Sequence, residues 1–350
     1  MNILDYLTRA VADQASDIFI VAGGPVSEKA EGHLRPLSEE RLLPPQTKEL
    51  ITEIYQLAER SMEHYWDDGD DDFAFAVPGL ARFRVSAYKQ RGSMAAVVRI
   101  VSFSIPDWNQ IHIPQRIMDL AEKTHGMILM TGTAGSGKST TQACLINRIN
   151  HNRDCHIITL EDPIEYLHRN QKSIVSQREI AVDTADYLSA LRACLRQAPD
   201  VILLGEMRDA ETIRTTITAA ETGHLIIATL HTRGAVNAID RIIDSFPSSH
   251  QAQIRMMLSM VLQTVVSQQM VPDKNGDMVP VFEVMHVNSA IRSMIRDNKS
   301  HQINNVIAAS NQEGMITMDQ ALLELYRSGL ITKETVLDYA DAPALMQRQL

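Results

Sequence analysis

The stretch GTAGSGKST (132–140) holds the residues whose types and spacing most directly imply chemistry. Gly132, Gly137, Lys138 and Ser139 satisfy G-x-x-x-x-G-K-[ST]. Glycines let a backbone curl until its N–H groups converge on phosphate oxygens, and a helix that starts there adds the positive end of its dipole. Lys138 is expected to reach the β- and γ-phosphates of ATP and Ser139 to hold Mg²⁺. Thr133, Ala134, Gly135, Ser136, Gly137 and Thr140 complete the wrap around the phosphates.

Other apolar runs also end in polar residues. ITLEDPIEY (158–166) passes into Glu161, Asp162 and, beyond a proline, Glu165. VILLGEMRD (201–209) passes into Glu206, and HLIIATLH (224–231) begins at His224 and ends at His231. In a parallel sheet, ligands bind outside the carboxyl ends of the strands. Glu161, Glu165, Glu206 and His231 are therefore expected on the rim that carries Lys138. Pro163 biases Asp162 toward an extended or turning backbone, which lets Glu165 leave the strand axis. Phosphoryl transfer to water requires Mg²⁺ on the phosphates, a group to orient the water, and positive charge on the γ-phosphate. Ser139 with an acid meets the first need, a glutamate the second and basic residues the third. Taken singly, a strand-end glutamate is as often structural, and each histidine suits strand-end hydrogen bonding as well as phosphate sensing. A zinc pair is not expected of two histidines at opposite ends of one strand.

These side chains need elements to hold them. The strand GMILMTG precedes the loop and the helix TTQACLINRI follows it. Short apolar runs alternating with helices predict a mostly parallel sheet covered on both faces. The first hundred residues read differently. MNILDYLTRAVADQ is an amphipathic helix, DIFIVA (17–22) a strand and 46–60 a helix. FAFAV (73–77), ARFRVSAY (81–88) and MAAVVRIV (94–101) are strands with turns at Pro78-Gly79 and Arg91-Gly92. The result is a small α+β domain with an antiparallel sheet. In RFRVS, Arg82 and Arg84 share one face and Phe83 takes the other. Asp67, Asp68, Asp70, Asp71 and Asp72 lack the spacing of a calcium loop and predict a solvated acidic loop. SFSIPDWNQIHIPQ (102–115), with two prolines, is the expected linker. The predicted organisation is 1–101, linker 102–115, ATPase core 116–287 and helical C-terminal region 288–350.

Composition narrows the class. The chain has 350 residues, 45% apolar and 22% charged, enough for about two soluble domains. A net charge of −10 and the lack of a basic, aromatic-lined segment argue against a nucleic-acid partner. Cys144, Cys155 and Cys194 form neither a disulfide framework nor a metal knuckle, as in a cytoplasmic protein with reduced thiols. No apolar run approaches the ~18 residues of a span, so direct membrane insertion is not expected.

GTAGSGKSTT, ITLEDPIEY, RQAPDVILLGEMRDAETIRTTITAAETGHLIIATLHT and DRIIDSFPSSHQAQIR resemble, in order and spacing, the Walker A, Asp-box, Walker B and His-box elements of the secretion ATPases. The resemblance is greatest to the type IV pilus retraction ATPases, and extends to VPGLARFRVSAYKQRG and to AIRSMIRD (290–297). It implies a RecA-like P-loop core preceded by a PAS-like α+β domain. It also implies that Glu165 activates water, that Glu206 acts on Mg²⁺ through water, and that His224 and His231 sense the nucleotide. Arg84 and Arg99 resemble arginines that reach a nucleotide at a subunit interface. A cytoplasmic homo-hexamer follows, which hydrolyses ATP to withdraw pilin through an inner-membrane platform protein. An accessory pilus ATPase and a weakly hydrolysing regulator are the rival readings. The sequence departs from the family at GTAG, where GPTG is usual, and at Phe19, where histidine is usual. In AIRSMIRD, Ile291 and Ile295 form an apolar stripe and Arg292 and Arg296 a basic one, which suits a docking helix as well as a core helix.

Overall fold

The computed structural model describes residues 1–350 except Glu31, Ser102 and Phe103. Its contacts define two compact units: Met1–Ser104 with Glu165–Leu167, and Ile105–Ile164 with His168–Leu350. Ser102 and Phe103, at the start of the expected linker, lie outside the described residues, and 104–114 forms neither helix nor strand.

The first unit is a six-stranded sheet of β1 (Asp17–Ile20), β2 (Ser27–Ala30), β3 (His33–Pro36), β4 (Asp70–Val77), β5 (Ala81–Gln90) and β6 (Ser93–Val101). The order is β3-β2-β1-β6-β5-β4 and every pairing is antiparallel. The period-two pleat sorts β5. Ala81, Phe83, Val85 and Ala87 are buried, while Arg82 and Arg84 turn to the other face. The buried face packs with Ile51, Ile54 and Tyr55 of the helix Pro44–Leu57. Fully burying a side chain such as Phe83 is worth about 1.5–3 kcal/mol.

The aspartate run is not the solvated loop that its composition predicts. Asp67 and Asp68 close the helix Glu63–Asp68, and Asp70 to Asp72 open β4. The pleat turns Asp71 inward with Phe73 and Phe75, and it is only 2% exposed. It accepts hydrogen bonds from Tyr55 Oη at 2.9 Å and from Arg60 Nε and Nη2 at 3.0 and 2.8 Å. Burial alone pushes the Asp71 carboxyl up, but the donors Arg60 and Tyr55 prevail and hold it below the ordinary aspartate value. A lowered folded-state pKa gives stability that is fully present above the unfolded value of about 3.9 and lost as pH falls through the folded value. The thermal unfolding midpoint should therefore fall below roughly pH 4. Asp71→Ala, which leaves Tyr55 and Arg60 without their acceptor, should cost about 2–4 kcal/mol at neutral pH. An unchanged denaturation midpoint in that variant would contradict the pairing.

The second unit carries β7 (Gly126–Thr131), β8 (His156–Glu161), β9 (Ile174–Glu179), β10 (Val201–Leu204), β11 (Leu225–Leu230), β12 (Leu262–Pro272) and β13 (Met278–His286). They form one sheet in the order β13-β12-β7-β11-β10-β8-β9. All neighbours are parallel except β12 and β13. Successive residues feed two cores. Leu129, Ile158, Ile202 and Ile226 face one, and Ile128, Ile157, Leu203 and Ile227 face the other. That is the doubly covered sheet expected of continuous apolar strands.

After β13 the chain is helical apart from one bridge between Ile316 and Val284. Ile291 and Ile295 of the helix Ser289–Arg296 are fully buried. Arg292 donates to the carbonyls of Ser259 and Met260 at 2.6 and 2.9 Å. These lie in the last turn of the helix Ser248–Val261, where carbonyls lack intrahelical partners and a cation is favoured. Arg292 therefore has an internal structural task, and the exposed basic residue of the stripe is Arg296.

Candidate nucleotide site

The phosphate loop begins where β7 ends and closes into the helix Lys138–Asn152. Two glycines are required by their surroundings. Gly132 has φ +144, and a Cβ there would stand 2.2 Å from the Gln268 carbonyl oxygen. Gly137, the N-cap at φ +83, would place a Cβ 2.8 Å from Gln268 Nε2. Lys138 is buried, and its Nζ donates to the carbonyls of Gly132 and Thr133, both at 2.8 Å. These bonds hold the ammonium against the loop. Ser136 is buried, and its Oγ has no partner among the described residues. A buried hydroxyl inside a glycine-shaped loop beside a fixed cation fits an anionic ligand with several oxygens.

β11 lies between β7 and β10, and the three strands run parallel. Beyond the carboxyl ends of β10 and β11 stand Glu206, Arg208 and His231. Glu206 Oε2 accepts from Arg208 Nε at 2.6 Å, and Glu206 Oε1 lies 3.5 Å from His231 Nε2. Arg208 also lies 3.6 Å from Asp162, at the exit of β8, and its guanidinium sits over the Tyr187 ring at 5.9 Å. The Glu206 hydrogen bond raises the Arg208 pKa further above its ordinary value. Burial, followed by the charge of Asp162, raises that of Tyr187. Glu161 accepts from Thr159 Oγ1 at 2.6 Å and from Gln177 at 3.3 Å, which ties it to the β8–β9 edge.

His224 does not join this rim. It precedes β11, where its backbone carbonyl accepts from Gly126 N, and its ring bonds the Ala219 carbonyl at 2.9 Å. The six residues of β11 separate it from His231, about 20 Å at ~3.3 Å per residue. Within one chain His224 is a strand-entry residue, at the opposite end of β11 from His231. Arg84 and Arg99 belong to the first unit, directly opposite each other on β5 and β6, and Arg99 pairs with Asp17 at 3.0 Å. Glu165 is exposed and groups with the same unit.

A cleft of about 370 Å³ adjoins the loop at Gly137, Thr140 and Thr141. Ile111, Ile113, Met270 and Met278 supply apolar walls, and Asp277 stands at its edge. Its volume falls in the range of small-molecule pockets. Sequence reading missed this cleft, Gln268 and Arg208. The hairpin that forms one wall had a signal in Asn275-Gly276 between two apolar runs. Arg208 was visible as a cation two residues beyond Glu206.

Among the described residues no group of three His, Cys, Asp or Glu side chains is placed to hold a metal. Mg²⁺ is commonly held by one or two protein groups together with substrate phosphates, and Ser139 with the half-buried Glu206 fits that mode.

Comparison with known proteins places the chain. Residues 2–336 match the family model for type II/IV secretion system proteins. The type IV pilus retraction ATPase PilT of Pseudomonas aeruginosa is 39% identical over 345 residues, covering 98% of this chain and 99% of the relative. The type IV pilus ATPase PilU of the same organism is 40% identical over 93% of this chain and 85% of its own length. The crystal structure of the pilus retraction motor PilT with bound ADP superposes with a TM-score of 0.90 at 41% identity, covering 99% of both chains. The chain belongs to the type II/IV secretion system protein family, in which it is similar to the pilus retraction ATPases.

Proposed function

We propose that this chain is an ATP-hydrolysing motor that drives type IV pilus retraction by withdrawing pilin subunits. The observation that carries the reading is the glycine-shaped phosphate loop, with Lys138 held in it, on a chain that aligns end to end with a retraction ATPase. The loop from Thr133 to Thr140 wraps the phosphates, and the base enters the adjoining cleft. Ser139 and, through water, Glu206 would hold Mg²⁺, which when bound would neutralise charge on the phosphates. His231 reads the nucleotide through Glu206, and Glu165 orients the attacking water. In the host, Lys138→Ala should leave pili that extend but do not withdraw. Normal withdrawal in that variant would contradict the reading. PilU, equally similar in sequence, favours a second reading, a companion pilus ATPase.

The motor works as a cytoplasmic homo-hexamer that meets an inner-membrane platform protein. No helix among the described residues is long and apolar enough to cross a membrane. Arg84 and Arg99 serve the nucleotide of a neighbouring subunit. Removing a cation of this kind lowers phosphoryl-transfer rates by roughly 10³–10⁵. Arg84→Ala and Lys138→Ala proteins, each inactive alone, should recover partial turnover when mixed. Mixed rings join an intact arginine of one subunit to an intact loop of the next. A mixture that stays inactive after subunit exchange would contradict the trans arrangement.

A further inference from the structure

Gln268 lies outside every motif that the family resemblance uses, yet it borders the phosphate loop at Gly132 and Gly137 and bonds the loop's helix at Thr141. It sits on β12, whose neighbour Ser267 pairs in register with Thr131, the last residue before the loop. Its carbonyl oxygen is the atom that forbids a side chain on Gly132. Its Oε1 accepts from Thr141 Oγ1 at 2.9 Å, a buried bond to the first turn of the loop's helix. Its Nε2 lies 2.8 Å from where a Cβ on Gly137 would stand. The residue is 3% exposed and lines the cleft beside the loop.

A primary amide has an acceptor end and a donor end. Thr141 consumes only the oxygen end. The nitrogen end stands where the loop meets the cleft, at Gly137. A nucleotide with its base in the cleft and its terminal phosphates at Lys138 must pass its first phosphate through that junction. We propose that Gln268 is a nucleotide-binding residue whose Nε2 donates to the α-phosphate of a nucleoside di- or triphosphate, while its Oε1 fixes the loop's helix through Thr141. One side chain thereby links the hairpin wall of the cleft, which carries Met270, to the phosphate loop. The inference rests on the nucleotide reading of the loop.

The two ends of the amide separate by substitution. Gln268→Glu keeps an oxygen for Thr141 but sets a carboxylate against a phosphate. Thr141→Val breaks the tie and leaves the amide intact. ADP affinity is measured by calorimetry on the full chain, with unfolding midpoints recorded without nucleotide. Gln268→Glu is expected to lose about tenfold or more in ADP affinity, and Thr141→Val only a few-fold. A purely structural role predicts the reverse order, since only Thr141→Val removes the internal bond. ADP binding by Gln268→Glu at the wild-type level would overturn the proposal. Should the buried carboxylate prevent folding, Gln268→Met provides the measurement, and wild-type ADP affinity in that protein overturns it equally. Lys138→Ala separates the two levels. If it also binds ADP normally, the nucleotide site itself is misassigned; if it loses ADP while both Gln268 variants keep it, only the Gln268 inference fails.

Discussion

Lys138→Met is expected to reduce ATP turnover by more than about 10²–10³-fold, the scale seen when a preorganised donor is removed from a developing charge. The loop holds the ammonium through two carbonyls at 2.8 Å, so its charge is already in place before the phosphates arrive. Methionine retains most of the chain's length and removes the charge. Because Lys138 is buried, no neighbouring solvent cation replaces it. The folded state should survive, since the variant exchanges a buried cation for a flexible apolar side chain. Steady-state phosphate release together with the unfolding midpoint checks both parts. Near-normal release from a well-folded variant would remove the loop from the reaction.

Gly132→Ala should act on structure as well as on binding. The new methyl would meet the Gln268 backbone oxygen at 2.2 Å, and backbone cannot rotate away as a flexible side-chain end can. The φ of +144 adds strain for any residue with a Cβ. Relief requires that β7 and β12 separate or that the loop unwind. The expected cost is about 3–5 kcal/mol of stability, with ADP binding lost at concentrations that saturate the wild type. Gly135→Ala is the internal contrast. A Cβ there meets nothing within 4 Å, leaving only its φ of +75 to strain the backbone, so the loss should be smaller. Equal losses at the two positions would show that strain at φ, and not the approach of β12, governs the loop.

Much of the second unit was legible because continuous apolar runs such as MILMT and VILLG have few alternatives to buried parallel strands. The loop was legible because its glycines, lysine and serine occupy fixed spacings. His231 was legible as a rim residue and His224 as a strand-entry residue, because the apolar run LIIATL between them fixes the two ends of β11. Other features depended on contacts that spacing does not carry. Asp71 looked like one of several solvated acids, but alternation on β4 turned it inward onto Arg60 and Tyr55. β9, IVSQRE, escaped notice because an edge strand with a polar, half-exposed face lacks the apolar signal of its neighbours. Arg292 looked like half of a free basic stripe, whereas its guanidinium closes the end of another helix. Gln268 carried no local pattern, since its partners Thr141 and Gly132 are distant in the chain and near only through the β7–β12 pairing.

The loop is expected to hydrolyse ATP in an assembled ring. The most direct measurement is phosphate release recorded on the same sample whose mass is followed by light scattering, with and without ATP and Mg²⁺. Turnover that rises with the hexamer, and vanishes in the Lys138→Met protein, is the predicted result. A protein that remains monomeric at every nucleotide concentration and releases no phosphate would contradict a ring ATPase.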